Sequence, residues 1–361
     1  MATVKGFKGI RYNPERIKDF SMVLAPPYDV ISPEEQEALH EKSPYNVIRL
    51  DLAKGDGDSK YENAASTFRK WIDEKILIRD DEPSIYPYRQ EFQWEGRTLT
   101  RKGFIAAVKI EDFSTKKILP HERTFPEHKK DRLKLTEACR ANMSPVFAVY
   151  SDPDGVIESA VEEKIESDPI FSASIESGVR NSMWQISDPV LISLIGDTMT
   201  NKSLLIADGH HRYETALEYK NIHAGTRAAE GGETPFDYVM MFLSRGEDEG
   251  LIINPTHRVA ARLDGTDLAG LLSNLEADFR IAKMPLEEAV SGLGYEEIAI
   301  VGKDREFAHR LSPLNSSSNA PDSMAVMRLH TQVLGKHMDE ERAGIVYTKF
   351  LDEALDLVHN G

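Results

Sequence analysis

The sequence predicts a mixed α+β fold in which strands and helices alternate and several strands are joined as hairpins. Residues 86–92 and 98–110 alternate in polarity on either side of Glu95-Gly96, which is typical of an antiparallel hairpin. The apolar run at residues 237–244 is typical of a buried strand. Helical periodicity between such segments indicates helices that cover the sheet. We therefore expect mixed sheets, and not a purely parallel doubly wound sheet.

The elements of the N-terminal region follow from local signals. Residues 21–52 are interpreted as strand, helix and strand. The helix is expected because Ser32-Pro33-Glu34-Glu35 has the capping-box pattern, with proline at the first helical position. The second strand is expected because residues 46–52 alternate in polarity. An amphipathic pattern then predicts a helix at residues 60–75.

The remaining elements are expected from apolar periodicity and turn residues. Helices are predicted near residues 156–168 and 184–199, and a strand, a turn and a helix near residues 204–219. The last hundred residues have the pattern of a separate small α/β unit. The chain is therefore divided into three predicted parts: an N-terminal α/β domain at residues 1–150, a central region at 151–262 and a C-terminal domain at 263–361.

Composition and charge exclude several classes of function. The formal net charge of -16 argues against nonspecific binding of nucleic acid. The single cysteine, Cys139, permits no intramolecular disulfide and supplies no metal cluster. The N-terminus lacks an apolar signal segment, and no apolar run approaches membrane length. We therefore expect a cytoplasmic protein that binds small molecules, with homo-oligomer formation left open.

The most unusual segment is the predicted strand, turn and helix after residue 203. An apolar run at residues 204–207 leads into the turn Asp208-Gly209, and Asp208 is expected to cap the helix. Three cationic side chains fill the first helical turn: His210, His211 and Arg212. Cations are disfavoured at this positive end of the helix dipole, so the pattern indicates a bound anion such as phosphate. The alternative is an ordinary capped helix whose basic side chains are solvated or paired.

The run Asp208-Gly209-His210-His211-Arg212 resembles the signature of the ParB/sulfiredoxin-like superfamily, whose free L-serine kinases carry closely similar sequences. Over nearly its whole length the chain also resembles a widespread prokaryotic family, domain-of-unknown-function family 1015. The matching stretches are APPYDVIS, PHERT, ADGHHRYETA and PTHR. The superfamily resemblance implies a ParB/sulfiredoxin-like mixed-sheet core that binds nucleotide phosphate at a strand-to-helix turn. It does not extend to thiol repair, because His210 stands where a sulfiredoxin needs cysteine.

Basic residues are concentrated at residues 118–142 of this otherwise acidic chain. From Lys129 onward we interpret the charges as a solvated helix face. The preceding PHERT stretch is bounded by prolines and is expected to be a functional loop. The resemblance favours roles for Glu122 and Arg123 in this loop.

Two function classes stay open. The first is a small-molecule kinase that uses ATP or ADP with Mg²⁺, with free L-serine or a similar small hydroxy compound as acceptor. The second is a nucleotide-binding switch of the ParB type, with or without nucleotide hydrolysis. A weaker third reading is a metal-dependent hydrolase, because His210, His211 and Glu214 have helical spacings that suit a divalent ion.

The kinase hypothesis gives each candidate residue a role. Glu122 is expected to deprotonate the acceptor hydroxyl, with Asp29 as the second choice or as a Mg²⁺ ligand. Asp208 is expected to act in catalysis and to bind the metal. The expected nucleotide-binding and phosphate-binding residues are Gly209, His210, His211, Arg212, Arg123, His257 and Arg258. The expected substrate-binding residues are Tyr28, His121, Arg140 and Asn142.

Overall fold

A computed structural model describes most of the chain. By compactness the chain forms two units, Met1–Leu251 and Ile252–Gly361. The three-part division into functional domains stays a prediction. The described residues are 2–94, 96–120, 126–165, 168–175, 178–225, 232–252, 257–261, 267–294, 296–304, 306–315, 325–338, 344–348 and 350–360.

The first unit is organised around a mixed sheet. The strands of this unit are β1 (Val4–Lys5), β2 (Ile10–Tyr12), β3 (Leu77–Arg79), β4 (Tyr86–Trp94), β5 (Arg97–Lys109), β6 (Ile118–Leu119), β7 (Val146–Tyr150), β8 (Phe171–Ser174), β9 (Arg180–Met183), β10 (Leu204–Asp208) and β11 (Tyr238–Arg245). The order is β6-β10-β7-β11-β5-β4-β9-β8, with β1 also paired to β5. The β10–β6 and β11–β7 pairs are parallel, whereas β10–β7 and β11–β5 are antiparallel. The predicted mixed α/β fold is therefore confirmed.

Helices pack on this sheet and complete its core. The helices of the first unit are α1 (Pro33–Lys42), α2 (Ile48–Asp51), α3 (Ser59–Asp73), α4 (Pro126–Cys139), α5 (Val156–Glu162), α6 (Pro189–Met199) and α7 (His210–Ile222). Ile157, Ile195 and Tyr213 from α5, α6 and α7 are buried with strand residues such as Phe104 and Ile206. Full burial of such a side chain stabilises the fold by about 1.5–3 kcal/mol. The register of β10 and the start of α7 are therefore held by the core.

The N-terminal helices form a second, smaller core. The predicted capping box is present, because Ser32 accepts from the Glu35 backbone N–H and Glu35 accepts from the Ser32 backbone N–H. Trp71 of α3 packs with Leu50 and Val23 in this core. These contacts place α2 and α3 beside α4, which contacts both α3 and α7.

Two predicted strands near the N-terminus are wrong. Residues 46–52 contain the short helix α2, and the segment before Val23 is a 3-10 turn at Phe20–Met22. The cause of the first error is Asn46, which is fully buried. Its amide donates to the backbone carbonyls of Met22 and Leu24, and its Oδ1 accepts from Ile48 N–H. This local side-chain bonding outweighs the strand-like alternation.

The second unit has the predicted small α/β pattern. Its central sheet has the order β13 (Phe279–Pro285), β15 (Phe307–Pro313), β14 (Ile298–Val301), and a separate pair is formed by β12 (His257–Ala260) and β16 (Ile345–Thr348). β14 and β15 pair antiparallel as a hairpin. The elements are β12 (His257–Ala260), α8 (Leu268–Leu275), β13 (Phe279–Pro285), α9 (Leu286–Val290), β14 (Ile298–Val301), β15 (Phe307–Pro313), the helical turns Ala325–Arg328, Leu329–Leu334 and Gly335–His337, β16 (Ile345–Thr348) and α10 (Leu351–Asn360). Across the described parts of both units, no helix is long and apolar enough to cross a membrane.

Candidate functional site

The DGHHR motif forms the junction between β10 and α7. Gly209 precedes the helix with φ +87°, in the left-handed region that favours glycine. A Cβ at Gly209 would lie 2.9 Å from Arg212 Cζ. The missing side chain therefore makes room for the Arg212 guanidinium against the backbone.

The prediction that Asp208 caps α7 is wrong. Asp208 is the last residue of β10, and α7 begins without a side-chain cap. The Asp208 carboxylate instead accepts a hydrogen bond from Arg212 Nη2. Arg212 Nη1 donates to the Pro145 carbonyl and lies 3.4 Å from Ser144 Oγ. These contacts hold Arg212 between the end of β10 and the start of β7.

A cleft of about 530 Å³ lies along one face of α7. Arg212, Thr215, Tyr219 and His223 line this face at helical spacing. Across from the helix, α4 and the segment after it contribute Arg132, Arg140, Asn142 and Ser144. Three arginines thus line one cleft in a chain whose net charge is -16. Such a concentration of guanidinium groups favours an anionic ligand.

Arg132 corrects the interpretation of the basic run. It is 7% exposed, so it is not part of a solvated helix face. Its Nη1 lies 2.7 Å from Asp51 Oδ1, and its Nη2 donates to the Asp51 carbonyl at 3.1 Å. The guanidinium carbon also lies 4.1 Å from the centre of the Tyr28 ring. Tyr28, a predicted substrate-binding residue, is therefore packed next to the cleft wall.

Asp29 lies near the same group of charges. Burial raises the pKa of Asp51, while the guanidinium groups of Arg132 and Arg212 oppose this shift and the charge of Asp29 adds to it. Asp29 is exposed, whereas the Asp51 side chain is 13% exposed. A solvent-accessible carboxylate and a buried one therefore lie close to the Arg132–Arg212 end of the cleft.

Arg140 and Asn142 also line the cleft, as their predicted role in substrate binding requires. Arg140 is exposed and has φ +52°, a left-handed conformation just after α4. Within the described part of the chain, its guanidinium makes no ion pair or hydrogen bond. Asn142 Oδ1 accepts from the Met240 N–H at 3.4 Å. Arg140 is therefore available to a ligand in a way that Arg132 is not.

The two histidines of the motif have a different environment. His210 is 5% exposed, and both His210 and His211 have contacts within the protein. Among the five residues of the DGHHR motif, Arg212 lines the described wall of the cleft, and the other four do not. Glu214, expected beside them in the hydrolase reading, lies 2.8 Å from Lys129 Nζ. Among the residues with described positions, no group of three or more His, Cys, Asp or Glu is placed to hold a metal ion.

Several residues that the sequence predicts for the site are not among the described residues that line this cleft. His121, Glu122 and Arg123 lie outside the described residues. His257 and Arg258 begin β12 in the second unit, where the Arg258 guanidinium lies 5.6 Å from the Tyr347 ring centre. Burial lowers the pKa of His257, and the charge of Arg258 lowers it further.

The sequence reasoning missed most of the cleft wall. Asp51, Thr215, His223 and Phe236 were not named as site residues, yet all four line the cleft. The helical spacing from Arg212 to His223 is the sequence pattern that could have indicated a shared face of α7. No comparable signal marks Asp51, because its neighbours in the cleft are distant in the sequence.

Asp131 supplies a pH-dependent contribution to stability beside the cleft. Burial alone would raise its pKa, but hydrogen bonds from Lys60, Tyr61 and Arg132 outweigh this effect and lower the pKa well below its usual range. A lowered pKa stabilises the folded state above the unfolded-state pKa of about 3.9, and the stabilisation is lost as the pH falls further.

We expect Asp131→Asn to be less stable than the wild type at pH 7, and the difference to shrink progressively below about pH 4. Urea unfolding of both proteins at pH 7, 4 and 3 measures this difference in the free energy of unfolding. A difference that stays constant over this range would contradict the assignment.

Comparison with known proteins identifies the family of the chain but no individual relative. Searches of the curated proteins and of the solved structures gave no significant match. The profile of the family described as Protein of unknown function (DUF1015) matches residues 4–337, which is most of the chain. The chain belongs to this family.

Proposed function

We propose that the chain is a cytoplasmic, nucleotide-dependent small-molecule kinase that transfers a phosphoryl group from ATP or ADP to a small hydroxy compound, such as free L-serine. The observation that carries the proposal is the cleft lined by Arg132, Arg140 and Arg212 in a strongly acidic chain. Guanidinium groups bind phosphate oxygens with two hydrogen bonds each. The cleft indicates phosphate binding, and the resemblance of the DGHHR motif to free L-serine kinases of the ParB/sulfiredoxin-like superfamily indicates phosphoryl transfer as the reaction.

The three arginines have different tasks in this proposal. Phosphoryl transfer depends on positioning and on neutralising charge around the transferred group. Arg212 is held in place by Asp208 and the Pro145 carbonyl, so it presents a fixed cation to the phosphates. Arg140 supplies a second guanidinium. Arg132 is paired with Asp51 and mainly maintains the shape of the wall.

The acceptor is expected near Asp29 and Tyr28. Of the two carboxylates predicted as general base, Asp29 is exposed near the arginine end of the cleft, and we propose it for this role. Glu122, with His121 and Arg123 beside it, stays a prediction from the sequence. Mg²⁺ takes one or two carboxylates together with phosphate oxygens, and the exposed carboxylate of Asp208 fits that requirement. When bound, the ion would neutralise phosphate charge.

The first test removes the available guanidinium. Arg140→Ala is expected to weaken nucleotide binding about tenfold or more, the scale of a lost charged hydrogen bond. The fold should survive, since Arg140 is exposed and alanine adopts its left-handed backbone at a similar cost. Calorimetric titration with ATP and ADP in the presence of Mg²⁺ measures the effect.

Lys130→Ala is the matched control, because it removes one exposed cation from α4, the helix that Arg140 directly follows, and Lys130 lies outside the described cleft wall. Equal affinities for Arg140→Ala and wild type would place the phosphate site elsewhere. Nucleotide binding without acceptor-dependent product would favour the alternative, a nucleotide-binding switch.

A further inference from the structure

The two ends of the cleft differ in chemistry. Arg212 lies at the N-terminal end of α7 and His223 directly follows its C-terminal end. At a rise of about 1.5 Å per residue, these two positions are about 16 Å apart along the helix axis. That distance is comparable with the length of an extended nucleoside triphosphate. One helix face therefore spans the whole of such a ligand.

The end away from the arginines is aromatic. Tyr219, His223 and Phe236 all line the cleft and contact one another. The ring centres of Tyr219 and His223 are 4.3 Å apart, and that of Phe236 lies 5.9 Å from His223 and 6.2 Å from Tyr219. Rings partly open to a cleft offer faces on which a planar ligand stacks.

Polar atoms without partners lie in the same wall. Thr215 is 2% exposed, and its Oγ1 has no hydrogen-bond partner among the described residues. His223 Nε2 is likewise shielded from solvent and unpartnered within the described chain. A buried polar group without a partner is destabilising, because it has lost its hydrogen bonds to water and gained none in the protein. Both residues line the cleft, so a rotation of either side chain would bring its polar atom to a ligand there.

We infer that the aromatic end is a subsite for the nucleoside part of a purine nucleotide. The base stacks among Tyr219, His223 and Phe236, with His223 Nε2 at its edge. Thr215 lies between this end and Arg212 and donates its hydroxyl to the sugar. This inference rests on the proposed function and adds to it the direction in which the nucleotide lies, with phosphates at Arg212 and base at His223.

The test compares ADP with inorganic pyrophosphate, both with Mg²⁺, by calorimetric titration of the full chain. Phe236→Leu removes the ring but keeps an apolar side chain, and is expected to weaken ADP binding about tenfold. Thr215→Val removes the hydroxyl at nearly constant shape and is expected to weaken ADP binding about fivefold or more. Pyrophosphate affinity is expected to be unchanged in both variants.

Two controls separate ligand binding from folding. Thr215→Val should not lower the melting temperature of the free protein, because the hydroxyl it removes has no partner in the described chain. Phe171→Leu changes a ring that contacts Phe20, away from the described cleft wall, and should leave ADP affinity unchanged.

Each result decides between the two proposals. If pyrophosphate and ADP bind the wild type equally well, and neither variant weakens ADP, the nucleoside subsite is overturned while the phosphate site stands. If neither ligand binds the wild type, the proposed function is overturned and the subsite with it. Selective loss of ADP affinity in Phe236→Leu and Thr215→Val supports the subsite.

Discussion

Asp29→Asn is expected to lower the rate of phosphoryl transfer by roughly a hundredfold or more, the range for loss of a general base. The variant keeps the size of the side chain but cannot take the acceptor proton. Nucleotide affinity should be nearly unchanged, because the phosphate contacts are assigned to Arg140 and Arg212. Single-turnover measurements with ATP or ADP and saturating acceptor give the rate, and titration gives the affinity.

Two further variants make this result decisive. Asp56→Asn removes an exposed carboxylate of the same unit outside the described cleft wall and should have no effect on the rate. Glu122→Gln tests the other predicted base. If Glu122→Gln loses turnover and Asp29→Asn does not, the base is Glu122. If neither variant loses turnover, neither Asp29 nor Glu122 is the base, and the proposed mechanism fails.

Arg132→Met is expected to destabilise the folded protein by about 3 kcal/mol or more. The substitution keeps the length of the side chain but leaves the buried Asp51 carboxylate without its ion-pair partner. Removing one member of a buried pair is costly because the other charge stays desolvated. Urea unfolding monitored by circular dichroism gives the difference in the free energy of unfolding.

A double-mutant cycle tests the cause of that loss. Arg132→Met combined with Asp51→Leu removes both charges of this pair and should recover part of the stability lost in the single variant, while the loss of the Arg132 hydrogen bonds to Asp131 remains. Lys134→Met is the control on the same helix, since its ion pair with Asp58 is solvent-exposed and should contribute little to stability. A double variant no more stable than Arg132→Met would show that the ion pair is not the source of the loss.

The parts of the fold that the sequence predicts well depend on local interactions. The capping box before α1 and the hairpin of β4 and β5 are formed by residues close in the chain, and both are present. The strand predicted at residues 46–52 fails because Asn46 bonds to carbonyls more than twenty residues away. The alternation of polar and apolar residues cannot indicate a side-chain hydrogen bond to a distant part of the chain.

The same distinction applies to the candidate site. The sequence singled out Arg212, because a cation in the first turn of a helix is unusual. It did not reveal the Asp51–Arg132 pair, whose members are 81 residues apart. Nor did it indicate that Asp208 bonds to Arg212 instead of capping α7, because both arrangements use the same five residues. Side chains that meet through the sheet and α4 are recognised only once the chain is folded.

A thermal-shift panel of ATP, ADP, CTP, GTP and pyrophosphate, each with and without Mg²⁺, tests whether the cleft binds a nucleotide through its phosphates. A ligand at a hundred times its dissociation constant stabilises the native state by about 2.7 kcal/mol, so binding is visible as a higher melting temperature. We expect the melting temperature to rise with ATP or ADP, and we expect this rise to be smaller in Arg140→Ala and unchanged in Lys130→Ala. No rise with any nucleotide or with pyrophosphate would contradict this expectation.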